Sequence, residues 1–250
     1  MLKNEREIEI LQILTDKKFV TVKELSNILY ASESSIRRDL TLLEKKGLAK
    51  RSYGGAEPVI NTGYVAPFPQ RALHNIAEKK IIAKKAASMI SDNDIIFFDQ
   101  SSSALFVANE IKNMQKNIVA VTNNLEIAAL FTDTNFHVHI TGGYLSPANR
   151  NCILGGDAIA FFENFCADIL FFSSRALSEN GTIFDCNREE ICVRNSMLKN
   201  CKKKIFLCDT EKFEKKAGFR QTTLAQTDIM ITEKPPEIIS ETFRGMTTVV

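Results

Sequence analysis

Short apolar runs alternate with helical stretches from residue 76 to the C-terminus, and this alternation constrains the fold more than any other feature of the sequence. The runs lie at 95–98, 118–121, 136–140, 169–172, 205–208 and 229–231. Several are apolar at nearly every position, which is typical of parallel strands that helices cover on both faces. The pattern predicts an α/β Rossmann-like domain with a mostly parallel sheet.

The first 56 residues carry a different pattern, typical of three short helices and a hairpin. Thr21 and Ser32 are candidate N-caps of the second and third helices, and Gly47 stands where the third would end. Two short helices with a tight turn between them predict a helix-turn-helix. The paired Gly54 and Gly55 predict the turn of a following β-wing.

Residues 57–75 predict a linker between these two parts. They hold three of the six prolines and show no sustained periodicity. The predicted organisation is therefore a winged helix-turn-helix domain over 1–56, a linker over 57–75 and an α/β domain over 76–250.

The distribution of charge is more informative than its sum. The formal net charge of +2 by itself predicts no polyanionic partner, but residues 34–56 hold six basic residues against two acidic ones. On a helical wheel, Ile36, Leu40 and Leu43 share one face of the third helix. Polar side chains lie opposite or on the flanks, namely Ser34, Ser35, Arg37, Arg38 and Thr41.

A small basic face of this kind can enter the major groove of DNA, where hydroxyls and arginines meet phosphates and base edges. Lys50 and Arg51 of the wing would then face the DNA backbone. The same residues also suit an ordinary solvated helix surface, and a helix-turn-helix pattern alone does not decide between the two.

The string SSIRRDLTLLEKKGLAKRSYGGA, preceded by VTVKELSNILYAS, strongly resembles the N-terminal signature of DeoR-type bacterial transcriptional regulators. The matching residues are Arg6, Val22, Glu24, Leu25, Ser32, Ile36, Arg37, Arg38, Asp39, Leu40, Glu44, Gly47, Arg51, Gly54, Gly55 and Ala56. The resemblance implies that the third helix reads operator DNA. Two departures, Ser35 for the usual Thr and Tyr53 for the usual His, are expected to shift operator preference. Asp39 is interpreted as the ion-pair partner of an arginine, because DNA would repel its charge.

Polar or glycine-containing loops follow the first three predicted strands of the α/β domain. They contain Asp99, Ser101, Ser102 and Ser103, then Thr122 and Asn123, then Gly142 and Gly143. Open α/β sheets bind ligands at the carboxyl ends of their strands, which is where these loops fall. Serines are also common helix caps and glycines common turn residues, so each loop alone is a weak signal.

The resemblance extends to these loops, through VTNN, TGGYL and ILGGDAI. It implies a sensor domain, related in fold to ribose-5-phosphate isomerase, that binds a phosphorylated sugar or a sugar-derived effector. By position it implies that the first loop faces the phosphate and that Lys212 is the basic residue of a fourth loop. Three departures concern this pocket: Gln100 replaces a small residue, Ser173-Ser174-Arg175 replaces a glycine, and Glu211 adds a negative charge that Arg175 is placed to offset.

The principal prediction is a cytoplasmic DNA-binding repressor of sugar or related carbon metabolism, acting as a homo-oligomer on double-stranded operator DNA. It needs no cofactor or metal, and no apolar run approaches the ~18 residues of a membrane span. One alternative is a sugar-phosphate isomerase or hydrolase using Asp99, Glu190 and Lys212. The other is a DNA-binding regulator whose pocket has decayed to an oligomerisation scaffold.

Four further groups are given structural interpretations. The six cysteines lack metal-type spacing and predict reduced, mostly buried thiols. His137 and His139 are interpreted as a structural pair rather than as metal ligands. The run 202–204 predicts a solvated turn before a strand. Glu189, Glu190 and Arg194 are assigned by default to an exposed helix face, with ligand contact as the alternative.

Overall fold

The computed structural model describes residues 3–45, 49–58, 68–239 and 241–250. The chain divides into two compact units, Met1–His74 and Asn75–Val250. The elements of the first unit are α1 Lys3–Lys17, β1 Val20–Thr21, α2 Val22–Ile28, α3 Glu33–Lys45, β2 Ala49–Ser52, β3 Gly55–Pro58 and α4 Phe68–Leu73. Its three strands form one small sheet in the order β1-β3-β2.

The helix starts of the first unit follow from their caps. Thr21 and Glu24 form a capping box at the start of α2. The Ser32 hydroxyl accepts a hydrogen bond from the Ser35 amide at 3.3 Å at the start of α3. Both predicted N-caps are confirmed, whereas the predicted helix end at Gly47 lies outside the described residues.

The apolar face predicted for α3 forms part of the core of this unit. Ile36, Leu40 and Leu43 are buried. They belong to one cluster with Ile10, Leu11, Leu14, Val20, Val22, Leu25, Leu29, Ala49 and Ala56. Burial of this face leaves the opposite, polar face of α3 available to a partner.

The wing turn is shifted by one residue from its predicted position. Ser52 pairs with Gly55, so the two-residue turn consists of Tyr53 and Gly54, and Gly54 has a φ of +79° that favours glycine. Gly55 lies in β3, where a Cβ would collide with the carbonyl oxygen of Val20.

The linker prediction is wrong for residues 68–73, which form α4. Phe68 is buried, and α4 contacts α1. The prolines on which the linker prediction rests do not prevent a short helix, because the buried Phe68 side chain holds the first turn of α4 in place. The wing also extends to Pro58, beyond the predicted boundary at 56. Residues 59–67 of the predicted linker lie outside the described residues.

The second unit is built on a seven-stranded sheet. Its strands are β4 Ile95–Phe98, β5 Val119–Thr122, β6 His137–Ile140, β9 Ala167–Phe172, β12 Cys201–Leu207, β14 Ile229–Ile231 and β15 Thr248–Val249. The order is β15-β14-β12-β9-β4-β5-β6, and all neighbouring pairs are parallel. The predicted α/β fold with a mostly parallel sheet is confirmed.

Helices and smaller sheets complete this unit. The helices are α5 Ile76–Ala87, α6 Ser102–Ile111, α7 Leu125–Leu130, α8 Gly156–Phe162, α9 Arg188–Lys199 and α10 Glu241–Arg244, with 3-10 turns at Thr210–Glu214, Leu224–Gln226 and Pro236–Ile238. Two antiparallel sheets pair β7 Tyr144–Leu145 with β8 Ile153–Leu154, and β10 Ala176–Leu177 with β11 Thr182–Asp185 and β13 Phe219–Thr223. The sequence pattern did not reveal these sheets, because their strands are short and partly polar.

Strand order places a topological switch point between β4 and β9. From β4 the chain adds β5 and β6 on one side, then crosses to β9 and continues through β12 to β15 on the other. Crevices at the carboxyl ends of strands on either side of such a point are where open α/β sheets bind ligands.

Two interpretations of surface groups are corrected. The run 202–204 lies inside β12 and is not a turn before it; lysines are tolerated there because their side chains are solvated at the start of the strand. Of the six free cysteines, only Cys152 and Cys208 are buried, while Cys166 and Cys192 are exposed.

Candidate nucleic-acid interface and effector site

The polar face of α3 begins with a cluster of hydroxyls. The Ser32 Oγ lies 3.0 Å from the hydroxyl oxygens of both Ser34 and Ser35. These groups stand at the helix N-terminus, where backbone amides and the helix dipole favour a negative charge. The start of α3 is thus suited to a phosphate or a base edge.

The two arginines of this face are exposed and only loosely held. Arg37 donates to Glu33 at 3.1 Å across one turn, and the Arg38 Nε donates to the Ser34 carbonyl at 3.4 Å. Exposed pairs of this kind contribute little to stability. Both guanidinium groups can therefore exchange their present partners for DNA at small cost.

The wing and α3 are joined by Arg51. Its guanidinium donates to the Thr41 hydroxyl at 2.9 Å, and its backbone amide donates to Glu44 at 3.0 Å. Lys50 pairs with Glu57 at 3.2 Å, and Tyr53 is fully exposed at the tip. The structure thus brings the nine predicted DNA-binding residues onto one helix and its adjoining wing, each at least partly exposed.

Asp39 is buried and accepts a hydrogen bond from the Arg6 Nε at 2.6 Å. The interpretation of Asp39 as the partner of an arginine is confirmed, and that arginine comes from α1. The contact ties α1 to α3 and keeps the carboxylate away from the polar face.

At the switch point of the second unit, Asp99 follows β4 and is fully buried. It accepts hydrogen bonds from the amides of Ser101 at 3.0 Å and Ser173 at 3.1 Å, and from the Arg194 Nε at 2.9 Å. Because the amide of Ser173 follows β9, the carboxylate bridges the two strands of the switch point. Asp99 therefore holds the loops in place, and its carboxylate is already engaged.

Arg194 is the group that sequence reasoning missed. Its side chain is buried and forms ion pairs at 2.9 Å with both Asp99 and Asp185, and it donates to Gln221 at 2.7 Å. Burial opposes the charge, but the carboxylates of Asp185 and Asp99 outweigh it and raise the pKa of Arg194. The default assignment to an exposed helix face is wrong for Arg194 and Glu190, because the first two turns of α9 face buried carboxyl and amide groups.

The other loops of this edge are ordered by their own side chains. Ser101 caps α6 at its start, and both Ser102 and Ser103 are buried. The Thr122 hydroxyl donates to the Phe98 carbonyl at 2.8 Å. Gly143, at a φ of +131°, packs so closely that a Cβ would collide with the Leu154 carbonyl.

A basic group lies at the end of β12. The Lys212 Nζ contacts Asp209 at 2.9 Å and the Ser173 hydroxyl at 2.8 Å. Burial lowers the pKa of Lys212, but Asp209 reverses this effect and the pKa is raised. Burial also opposes the ionised form of Asp209, yet Lys212 holds the pKa of Asp209 at about 2.

Lys215 adds a second cation to this loop, and Glu211 is neutralised by it rather than by Arg175. Glu211 contacts the Lys215 Nζ at 2.9 Å and accepts from the Asn75 amide at 2.5 Å. Burial lowers the pKa of Lys215, and the nearby charge of Arg175 lowers it further. A partly buried cation beside another cation favours an anionic partner. Sequence reasoning missed Lys215, and a lysine four residues after Glu211 is the signal that could have found it.

Five buried polar atoms in the described residues have no hydrogen-bond partner: Gln100 Oε1, Asn123 Oδ1, Asn124 Nδ2, Asn149 Nδ2 and Ser174 Oγ. Gln100 donates its amide group to Glu190 at 3.0 Å, and Asn123 donates to the Ile153 carbonyl at 3.0 Å. A carboxylate and a backbone carbonyl can only accept hydrogen bonds, so Gln100 and Asn123 must turn their NH2 groups toward them. The side-chain carbonyl oxygens of Gln100 and Asn123 are then left without a partner. Buried acceptors without a partner are rare in folded proteins.

Two family models cover these two sites. Residues 6–61 match the DeoR-like helix-turn-helix domain, and residues 74–234 match the DeoR C-terminal sensor domain. The chain belongs to the DeoR family.

Relatives of this DeoR-family chain align with nearly its whole length. The HTH-type transcriptional regulator GolR of Listeria innocua is 33% identical over 92% of this chain and 90% of its own. The HTH-type transcriptional regulator GlpR of Haloferax volcanii is 29% identical over 93% and 91%. The glycerol-3-phosphate regulon repressor of Escherichia coli is 25% identical over 95% and 94%. The chain is a DNA-binding transcriptional regulator and not an enzyme.

Among solved structures, ribose-5-phosphate isomerase A of Methanocaldococcus jannaschii aligns with 55% of this DeoR-family chain and 54% of its own, at 15% identity and a TM-score of 0.41. Within the described residues, no helix is long and apolar enough to cross a bilayer, and no group of three or more His, Cys, Asp or Glu is arranged to hold a metal ion.

Proposed function

We propose that the protein is a cytoplasmic repressor of sugar or related carbon metabolism that binds a paired operator as a homo-oligomer and responds to a phosphorylated sugar. The observation that carries the DNA-binding half is the exposed polar face of α3, joined to its wing by Arg51. Two-fold oligomers suit such a module, because two DNA-binding domains on paired half-sites add their modest binding free energies. The relatives that are named repressors support the sign of regulation.

The DNA contacts are assigned to Ser32 at the N-cap of α3, to the α3 residues Ser34, Ser35, Arg37, Arg38 and Thr41, and to the wing residues Lys50, Arg51 and Tyr53. Arg38 lies opposite the buried face of α3 and is the best placed to reach base edges. Arg38→Ala should weaken operator binding by about tenfold or more, since one bidentate base contact contributes about 1–3 kcal/mol. The measurement is a titration of the upstream promoter fragment at fixed salt.

A matched control is Arg188→Ala, which removes an exposed arginine from α9 in the other unit. It should leave operator affinity unchanged, and both variants should unfold at the wild-type temperature. An Arg38→Ala protein that binds as tightly as wild type would remove Arg38 from the interface.

The effector is assigned to the carboxyl edge of the parallel sheet. The cations Lys212 and Lys215 after β12 and Arg175 after β9 suit a phosphate. The unpaired carbonyl oxygens of Gln100 and Asn123 suit hydroxyl groups, which can donate hydrogen bonds, whereas an ionised phosphate only accepts them. A phosphorylated sugar offers both kinds of group.

Under this assignment, the first loop has a different role from the one the resemblance implied. Asp99 positions Arg194 and the backbone, and Ser101, Ser102 and Ser103 line the start of α6. Thr122, Gly142 and Gly143 shape the neighbouring loops. The phosphate itself is assigned to the fourth loop, which holds Lys212 and Lys215.

A thermal-shift screen of the full chain with sugar phosphates, the free sugars and inorganic phosphate tests this assignment. A sugar phosphate should raise the melting temperature more than either part alone. Lys215→Ala should abolish most of this shift, whereas Lys216→Ala, its exposed neighbour, should preserve it. No shift with any compound would favour an oligomerisation scaffold with a decayed pocket.

An effector can change DNA binding only if it binds the DNA-binding state of the protein and the other state with different affinities. The same sugar phosphate must therefore change the operator affinity in the promoter titration. An effector that shifts the melting temperature but leaves operator affinity unchanged would contradict the regulatory half of the proposal.

A further inference from the structure

Tyr30 combines two features that are each unusual for a tyrosine. Its φ is +48°, in the left-handed region, and its side chain is 97% exposed. Among the described residues, Tyr30 and Tyr53 are the only large apolar or aromatic side chains that are more than half exposed. Both belong to the DNA-binding unit.

The backbone conformation of Tyr30 is set by the end of α2. The Ala31 amide donates to the Ser26 carbonyl at 3.1 Å, and the Ser26 hydroxyl donates to the Ala31 carbonyl at 2.6 Å. This closure of the helix end requires a left-handed residue between Leu29 and Ala31, a position that glycine normally fills. A tyrosine there is strained, because its Cβ crowds the backbone.

Packing does not explain this residue. A side chain that is 97% exposed buries almost no apolar surface to offset the strain. Strained residues that persist without a structural benefit are concentrated at functional sites. The exposed side chain is therefore free to contact a partner outside the folded chain.

The position of Tyr30 identifies that partner. Tyr30 stands two residues before Ser32, the N-cap of α3, so the two Cα atoms are at most about 7 Å apart. A helix about 10–12 Å in diameter fills a major groove about 12 Å wide. Groups beside the N-terminus of a helix in the groove therefore face the groove walls, which consist of phosphates.

We propose that the hydroxyl of Tyr30 donates a hydrogen bond to a backbone phosphate of the operator at the edge of the groove that α3 enters. Tyrosine hydroxyls are among the groups that make such contacts, which position the protein without reading sequence. The inference rests on the proposed role of α3. It adds a DNA-contact residue that lies outside both the recognition helix and the wing.

Two variants of the full-length protein test the proposal. Tyr30→Phe keeps the ring and the backbone strain but removes the hydroxyl, and Tyr30→Gly relieves the strain and removes the whole side chain. Each should weaken binding to the operator and to an unrelated duplex by a similar factor of about five to ten at fixed salt. Tyr30→Gly should also raise the melting temperature by about 3 °C, whereas Tyr30→Phe should not change it.

Asn93→Gly is the matched control, since Asn93 has a φ of +66° in the sensor unit. It should leave DNA affinity unchanged. If wild type shows no specific binding, the proposed function fails; if wild type binds and Tyr30→Phe binds as tightly, only the Tyr30 contact is refuted. Weakened binding to the operator alone would also refute it, because a phosphate contact does not distinguish sequences.

Discussion

Replacement of Arg194 by methionine is the strongest test of how the sensor unit is held together. The change keeps a long side chain in place but removes a charge that pairs with Asp99 and Asp185 at 2.9 Å each and a hydrogen bond to Gln221 at 2.7 Å. The two carboxylates would remain buried, since their relative exposures are 0% and 7%.

The expected loss is large. Removing one partner of a buried ion pair costs about 3–5 kcal/mol, because the remaining charge is desolvated without compensation. Asp99 keeps its two backbone amide donors and Asp185 keeps the Cys186 amide, so a value within this range is expected rather than the sum for two broken pairs. Against a typical total stability of about 5–15 kcal/mol, such a loss is readily measured.

Urea unfolding at pH 7, followed by far-ultraviolet circular dichroism, measures this free energy. Arg188→Met, an exposed arginine on the same helix, is the control and should change the free energy of unfolding by no more than about 0.5 kcal/mol. Arg194→Met within about 1 kcal/mol of wild type would refute the assigned role of the buried charge.

A double-mutant cycle separates the ion pair from general packing. Adding Asp185→Asn to Arg194→Met removes one of the stranded charges, so the double variant should lose less stability than the sum of the two single variants. Additive losses would show that Arg194 acts through its volume and not through its charge.

Two further predictions concern other groups of the sensor unit. Because Lys212 lowers the pKa of Asp209 to about 2, the stability from this pair is complete above the unfolded value near pH 4 and is lost as the pH falls toward 2. Urea titrations across this range should therefore show a smaller loss for Asp209→Asn than for wild type, and equal losses would contradict the pairing. Burial raises the pKa of Cys201 to about 12 and that of Cys208 further, and alkylation requires the thiolate, so iodoacetamide at pH 8 should label the exposed Cys166 and Cys192 first. Mass spectrometry of the native protein checks this order, and early modification of Cys208 would contradict it.

The sequence was most informative where local chemistry decides the structure. Thr21 and Ser32 cap helices because their side chains reach an amide three residues later, and the apolar spacing of α3 determines which face is buried. Continuous apolar runs likewise predict the parallel strands, because each run is recognised from its own residues. These features depend only on residues that are neighbours in the chain.

The buried charges of the sensor site could not be predicted, because their partners are distant in sequence. Arg194 reaches Asp99 across 95 positions, and Gln100 reaches Glu190 across 90. On its own helix, Arg194 follows two glutamates and fits an ordinary solvated surface. Only the parallel order of β4 and β9 brings these groups to one edge of the sheet.

Helix α9 is the element through which the proposed effector site can act on the rest of the sensor unit. Its first turn contacts the loop after β4 through Glu190 and Gln100, and the β7–β8 hairpin through Glu189, which accepts from the Tyr144 hydroxyl at 2.6 Å. Its second turn reaches β11 and β13 through Arg194. A ligand hydroxyl that bound the unpaired oxygen of Gln100 would therefore touch a side chain already bonded to α9. Because packed helices shift between discrete arrangements rather than deform continuously, a change at this bond would move the hairpin and the small sheet together.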